Sequence, residues 1–336
     1  MRAAFTPAYG PSDVLELRAI PRPQPGPRQV LVNVHVSVVS AGDRRLRSAD
    51  FPGISALPGR LMMGVLRPRH PVQGTMFAGR VAEVGAQVTR FKVGDEVFGQ
   101  VDNGAWAEAV LVDAEGPIAL RPDKVSREAA AALSYGAGTA LHFLDELAQV
   151  QPGEEVLILG GSGGVGRYAI QIARWLGAVV TAVGSEAHHE RMKALGAHQV
   201  HDHRSFDYTR AEQRWDVVFD IADCSSFPQA RERLNAGGRY LTLTIRPGHL
   251  FWMLASRLVG DKHAVFNVAI GDRENTERLA QLASEDILAP TIAARFSLEQ
   301  IAQAHACAES GARGSVVVEV TPPFSLARSA TERLRA

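Results

Sequence analysis

Thiols are scarce in this chain. Cys224 and Cys307 are the only two cysteines in 336 residues. They are too few for a disulfide framework and too far apart for a metal-binding spacing, so a reduced, cytoplasmic setting is expected. Excess charge is absent as well, with 36 Lys and Arg against 36 Asp and Glu. Without a basic surplus, neither a nucleic acid nor an acidic membrane surface is expected as a partner. No apolar run reaches the roughly 18 residues that a membrane span needs. The most apolar stretch, 249–259, is short and contains Arg257. The first residues lack the apolar core of a signal peptide, so no secretion signal is expected. Internal repeats and low-complexity tracts are missing too.

What is present is ordinary globular composition, 46 % hydrophobic and 21 % charged, in a length that suggests two domains. The most informative stretch is 155–176. It opens with Val156, Leu157, Ile158 and Leu159, the pattern of a strand buried on both faces. Apolar residues then recur at 165, 169, 172, 173 and 176, which is helical spacing. Between the two, Gly161, Gly163 and Gly166 form G-x-G-x-x-G. One glycine permits a tight turn off the strand, a second lets backbone approach a pyrophosphate, and a third lets helix and strand pack closely. The amides of Ser162, Gly164 and Val165 belong to the same loop, and the helix N-terminus adds a positive dipole end. Dinucleotide binding is the expectation.

Residues 1 to 120 read as β-rich, with strands over 30–39, 77–84 and 107–112 and prolines and glycines between them, as in a small barrel-like domain. After 121 the pattern changes. Ser126 is a good N-cap for a helix, and a second helix is expected from Thr139 to 149. Strands at 156–160, 179–183, 199–201, 216–221, 239–244 and 264–269 alternate with helices at 165–176, 187–195 and 228–235. That alternation means a parallel sheet with helices on both faces. A helix at 274–283, an extended segment at 290–296, a helix at 298–308 and a strand at 315–320 follow. The tail 328–336 is expected to be mobile. The apolar piece 246–261, containing Phe251, Trp252, Met253 and Leu254, reads as a buried amphipathic helix in preference to a cleft cover or subunit contact.

Gly153, Glu154, Leu157, Gly161, Ser162, Gly163, Gly164, Gly166, Gln171 and Arg174 together resemble the signature of the zinc-independent quinone oxidoreductase (zeta-crystallin-like) branch of the medium-chain dehydrogenase/reductase superfamily. Segments 78–85, 91–99 and 195–197 are similar to the same family. The resemblance implies an α/β fold in which a Rossmann doubly wound parallel sheet is inserted in a GroES-like β-barrel catalytic domain. It places the GroES-like unit at 1–122 and 271–336 and the Rossmann unit at 123–270. It also implies a homodimer joined through strand 263–270.

Where zinc-dependent relatives carry metal ligands, this chain has Ser40, Thr75 and Tyr135, none of them a usual zinc ligand, so no metal is expected. The histidines at 188, 189, 198, 201 and 203 flank the third strand of the parallel sheet and suggest a solvated edge or a cofactor role. In NAD binders an acid about 20 residues after the glycines holds the ribose. Ser185 stands at that place, with Glu186 beside it. His188, His203 and Arg204 fall where a related reductase binds the 2′-phosphate, so NADPH is expected as cofactor in preference to NADH. Charge on these histidines would make NADPH affinity fall between about pH 6 and 8.

A reduced nicotinamide supplies hydride, and a carbonyl acceptor needs a hydrogen-bond donor at its oxygen. By the resemblance, Tyr135, Ser40 and Thr75 are the candidate catalytic residues, with Tyr135 the preferred donor. Asp43 is expected to hold loop structure, and Thr139 to touch the cofactor from the start of its helix. The implied activity is metal-free reduction of a quinone or an α,β-unsaturated carbonyl. The alternatives are a zinc-free alcohol or aldehyde dehydrogenase and a non-catalytic NADPH-binding redox sensor.

Overall fold

The computed structural model describes residues 1–50, 56–244, 246–258, 260–269 and 271–320. The expected tail at 328–336 lies outside the described residues. The chain opens with β1 (Arg2–Phe5) and β2 (Glu16–Ala19), an antiparallel ribbon. The long β3 (Gln29–Val39) leads into α1 (Ala41–Ser48) and α2 (Ala56–Met63). Then come β4 (Met76–Val84), β5 (Glu96–Gln100), β6 (Ala109–Asp113) and β7 (Ile118–Leu120), and α3 (Arg127–Leu141). The alternating part holds β8 (Glu155–Leu159), α4 (Gly166–Trp175), β9 (Val179–Gly184), α5 (His189–Ala194), β10 (Gln199–Asp202) and β11 (Trp215–Asp220). It continues with α6 (Phe227–Arg231), β12 (Leu234–Thr242), α7 (Pro247–Ala255) and β13 (His263–Phe266). The last described elements are α8 (Arg273–Ser284), β14 (Ile292–Ser297), α9 (Ile301–Glu309) and β15 (Ser315–Glu319).

Two sheets dominate. The order β10-β9-β8-β11-β12-β13 is parallel throughout, the doubly wound sheet expected from the strand–helix alternation. The order β14-β15-β3-β4-β5-β7, with β6 also on β3, builds the GroES-like sheet. β15 pairs with β3 across most of the sequence, so both ends of the chain build this unit. One core fills that sheet around Val32, Phe77, Trp106 and Ile118. A second cluster runs from Val36, Met76 and Phe98 through α3 into Ile158, Ile170 and Phe219, joining the two units with continuous apolar packing.

α3 is the joint. Ser126 caps it by accepting from the Ala129 amide at 3.1 Å. Its small residues, from Ala130 to Ala140, are almost all buried between the sheets. The expected second helix from Thr139 does not exist as a separate element. α3 runs through that point and widens to i→i+5 bonding over His142–Leu147. Gly136 lies inside this helix because a side chain there would press on the Gly164 carbonyl and the Tyr168 ring. Thr139 therefore sits near the C-terminal end of a helix, and its hydroxyl donates to the Tyr135 carbonyl at 2.8 Å.

Three other expectations change. The helix expected at 228–235 stops at Arg231, and β12 begins at Leu234. β13 pairs only over His263–Phe266, and Ile270 lies outside the described residues. α7 is only half buried: His249 is enclosed and Trp252 packs on Phe227, but Phe251 and Leu254 are each 61 % exposed, with Leu250 beside them at the surface. No helix among the described residues is long and apolar enough to cross a membrane.

Candidate active site

β8 lies at the centre of the parallel sheet, with β9 on one flank and β11 on the other. Where strand order reverses, a crevice opens beyond the carboxyl ends of the strands. The chain leaves β8 through Gly160, at a φ of +94°, and enters α4 at Gly166. A Cβ at Gly166 would collide with the Gly160 carbonyl, whereas nothing lies within 4 Å of the Cβ position at Gly164. The first glycine is demanded by packing, and the second keeps the crevice open. Among the described residues the amides of Ser162, Gly164 and Val165 have no acceptor, and α4 has no side-chain cap. Unpaired amides at a helix N-terminus suit a diphosphate.

From this loop a cleft of about 570 Å³ runs between the two units to Ser40, Gly42, Arg45 and Tyr135. Gly163, Gly164 and Val165 line one end, and Thr139 lines its side. A Cβ at Gly42 would stand 3.4 Å from Ser40 Oγ and 3.6 Å from the Tyr135 hydroxyl oxygen, so these two hydroxyls converge on one point of the wall.

The three hydroxyls expected to act together have different commitments. Ser40 caps α1: its hydroxyl donates to Asp43 Oδ2 at 2.6 Å and accepts from the Asp43 amide at 3.2 Å. Thr75 donates to Asp43 Oδ1 at 3.1 Å. Thr75 does not line the cleft; its neighbour Met76 does. Asp43 is fully buried and ties β3, α1 and the approach to β4 together, the structural role expected of it. Burial pushes its carboxyl up, and the hydrogen bonds from Ser40 and Thr75 oppose that rise. The Tyr135 hydroxyl has no hydrogen-bond partner among the described residues. Burial pushes the phenol above its usual value of 10.0, Arg45 opposes this and Asp43 adds to it. Of the three groups, Tyr135 alone keeps an uncommitted proton facing the cleft.

The glycine-loop end of the cleft has its own recess beside Gly161 and Ser162, lined by Arg167, His188, Arg191 and Arg313 and, among the described residues, by no carboxylate. Arg191 donates to the Arg313 carbonyl at 2.8 Å, and Arg167 to Ser315 Oγ at 2.8 Å. Arg191 Nη2 and Arg167 Nε are buried without partners. Burial, then Arg313 and Arg191, hold His188 below its ordinary 6.5. Burial and then Arg167 lower Arg191 as well. Four cationic or protonatable side chains thus share one recess, a candidate place for an anion.

Ser185 directly follows β9 and is half-buried, and it is not among the residues lining this recess. His203 and Arg204 are not in it. Arg204 is spent on Asp202 at 2.8 Å and on Glu186 at 3.7 Å, and His203 stands 3.4 Å from Asp202. Sequence reasoning missed Arg167, Arg191 and Arg313. Only Arg167 had a local signal, an arginine directly after the last glycine of the motif.

The GroES-like domain model of alcohol dehydrogenases matches residues 26–122, and a model described as zinc-binding dehydrogenase matches residues 195–318. A mycocerosic acid synthase-like polyketide synthase of Mycobacterium tuberculosis is 33 % identical over 241 residues, 70 % of this chain and 11 % of the synthase. This chain thus spans about a tenth of the length of that relative. The quinone oxidoreductase of Homo sapiens is 29 % identical over 336 residues, covering 95 % of this chain and 97 % of the human protein. The structure of the quinone oxidoreductase from Coxiella burnetii superposes with a TM-score of 0.83 at 28 % identity, over 96 % of this chain and 99 % of that one.

The residues present do not suit the zinc named in the second description. Two of the hydroxyls at the relevant positions are bonded to Asp43, the third is a phenol, and no Cys or His among the described residues lines the cleft. No group of three or more His, Cys, Asp or Glu able to hold a metal occurs among the described residues. The fold, the glycine loop and the matches at both ends agree, and the chain belongs to the medium-chain dehydrogenase/reductase superfamily, in its quinone oxidoreductase-like branch.

Proposed function

We propose that this chain is an NADPH-dependent oxidoreductase that reduces a quinone or an α,β-unsaturated carbonyl without a metal. The observation that carries the reading is the unpartnered Tyr135 hydroxyl in the same cleft as the glycine loop, beside a Ser40 whose proton is committed to Asp43. The amides of Ser162, Gly164 and Val165 would hold the diphosphate, and Arg191, Arg313 and His188 the 2′-phosphate. When bound, the reduced nicotinamide supplies the hydride. Tyr135 donates a hydrogen bond to the acceptor's carbonyl oxygen, where negative charge grows as the conjugated system is reduced. Asp43 holds Ser40 and Thr75 so that α1 and the Met76 wall keep their places. The apolar wall of Val38, Met76 and Leu243 excludes water around the acceptor.

We infer in addition that two copies associate along the edge strand β13. An edge of this kind is normally paired or protected, and the exposed Phe251, Leu254, Leu258 and Val268 are close to it in sequence. The activity is tested by following NADPH consumption with 1,4-benzoquinone and with a simple enone, against NADP-dependent oxidation of a simple alcohol. Consumption with the first two supports the reading. Turnover confined to the alcohol, or tight NADPH binding with no turnover, contradicts it.

A further inference from the structure

Among the described residues, the cleft wall carries two arginines and no carboxylate. Arg167 immediately follows the glycine loop, and Arg45 lines the cleft together with Gly42 and Tyr135. Arg45 lies on α1 three residues after Gly42, so both occupy one face of that helix. Gly42, with no side chain, leaves the Tyr135 hydroxyl uncovered, and Arg45 comes one turn further along the same face.

The state of the neighbouring charges isolates Arg45. α1 contains three arginines. Arg44 pairs with Asp50 at 3.8 Å. Arg47 is buried, donating to Glu309 at 2.7 Å and to the Gly10 carbonyl at 3.1 Å. The Arg45 guanidinium has neither ion pair nor hydrogen bond among the described residues. The nearest acid in sequence, Asp43, is sealed behind Ser40 and Thr75 and already holds both their protons. An exposed guanidinium with five donors, lining the cleft mouth without a partner among the described residues, matches the geometry of a carboxylate or phosphate.

We propose that the acceptor carries an anionic group, a carboxylate or a phosphate, and that Arg45 binds it while Tyr135 meets the carbonyl oxygen. This rests on the function proposed above and names the substrate class for that same cleft. Arg45 acts in binding: the anion is present before and after reduction, so its contact is uniform between ground and transition states and appears in KM more than in kcat.

The test compares three acceptors: a neutral enone, an enone bearing a free carboxylate, and a 2-enoyl-coenzyme A, whose charge lies on phosphates. In the wild type, the anionic acceptor that fits has a higher kcat/KM than the neutral one, and whichever arm shows this identifies carboxylate or phosphate. Arg45→Gln reduces the ratio of anionic to neutral kcat/KM by about 10- to 100-fold, the range of one charge-assisted contact, chiefly through KM. Arg45→Glu reduces it further, Arg45→Lys restores part of it, and Arg44→Gln leaves the ratio where it was. An unchanged ratio in Arg45→Gln, or no wild-type preference for either anionic acceptor, overturns the proposal while leaving enone reduction standing. No NADPH consumption with any of the three overturns the function reading and this proposal with it.

Discussion

The Ser40 hydroxyl donates to Asp43 Oδ2 at 2.6 Å, and the Asp43 amide donates back to Ser40 at 3.2 Å. This reciprocal cap fixes the first turn of α1 and removes Ser40 from the set of available proton donors. Replacing Ser40 by alanine costs one cap, about 1 kcal/mol of stability. Asp43→Ala strands three donors in a buried place and costs more, roughly 3 kcal/mol. Urea unfolding of the two variants checks the order. Equal losses would mean that the carboxylate does not organise this corner.

The recess beside Gly161 predicts where cofactor selectivity resides. Arg191→Ala and Arg313→Ala each weaken NADPH binding by about 10- to 100-fold and NADH binding by much less, since each removes one charge-assisted contact to a phosphate that NADH lacks. Arg204→Ala has little effect, because Arg204 is already paired with Asp202. Titration calorimetry with both cofactors measures all three. A large loss in Arg204→Ala with none in Arg191→Ala would move the phosphate back to the site expected from sequence.

The same recess revises the pH dependence. His188 is held below 6.5 by burial and by Arg313 and Arg191, so it is mostly neutral in the free protein at pH 7. A bound phosphate raises its pKa again, so affinity is greatest below the free-protein value and falls as pH rises from there to the bound value. The decline therefore begins on the acid side of 6.5, and the arginines retain affinity above it. Dissociation constants measured from pH 5 to 9 with wild type and His188→Ala show whether that acid limb belongs to His188.

Glu96 joins β5 to the start of α3, accepting from Arg127 at 2.7 and 2.8 Å and from Arg80 at 2.9 Å. Burial alone would raise this carboxyl; hydrogen bonds from Arg127 and Arg80 outweigh it and hold the group at about 2. A depressed folded pKa stabilises above the unfolded value, near 4.3 for a glutamate, and that stability is lost as pH falls from there towards 2. Glu96→Gln lowers stability at neutral pH and flattens the acid limb in that window, which acid titration followed by circular dichroism detects.

The exposed apolar face of α7 beside β13 predicts a dimer in solution and a shift towards monomer in Leu254→Glu. Sedimentation equilibrium decides it: a wild type that is monomeric at all concentrations contradicts the edge-strand contact.

The glycine loop was legible in sequence because backbone chemistry leaves no alternative at Gly166, where any side chain meets the Gly160 carbonyl. The strand–helix alternation was legible because buried parallel strands are written as short apolar runs between amphipathic helices. The cation recess was not. Arg167, Arg191 and Arg313 come from distant parts of the chain and meet only through the tertiary fold. Arg204 has the right residue type and place in sequence, but the Asp202 that neutralises it is recognised as its partner only in three dimensions. Thr139 was misplaced because α3 continues through it, with Gly136 inside that helix making room for the Gly164 loop. The exposure of α7 follows from its position near a sheet edge, which apolar content alone does not reveal.

The most direct test of the account is the turnover of chelator-treated protein with NADPH and a conjugated enone, wild type beside Tyr135→Phe. The account predicts that wild-type turnover survives chelation, and that Tyr135→Phe loses about 100-fold in kcat while binding NADPH as before. Activity that vanishes on chelation and returns with zinc, or a Tyr135→Phe variant with unchanged kcat, contradicts it.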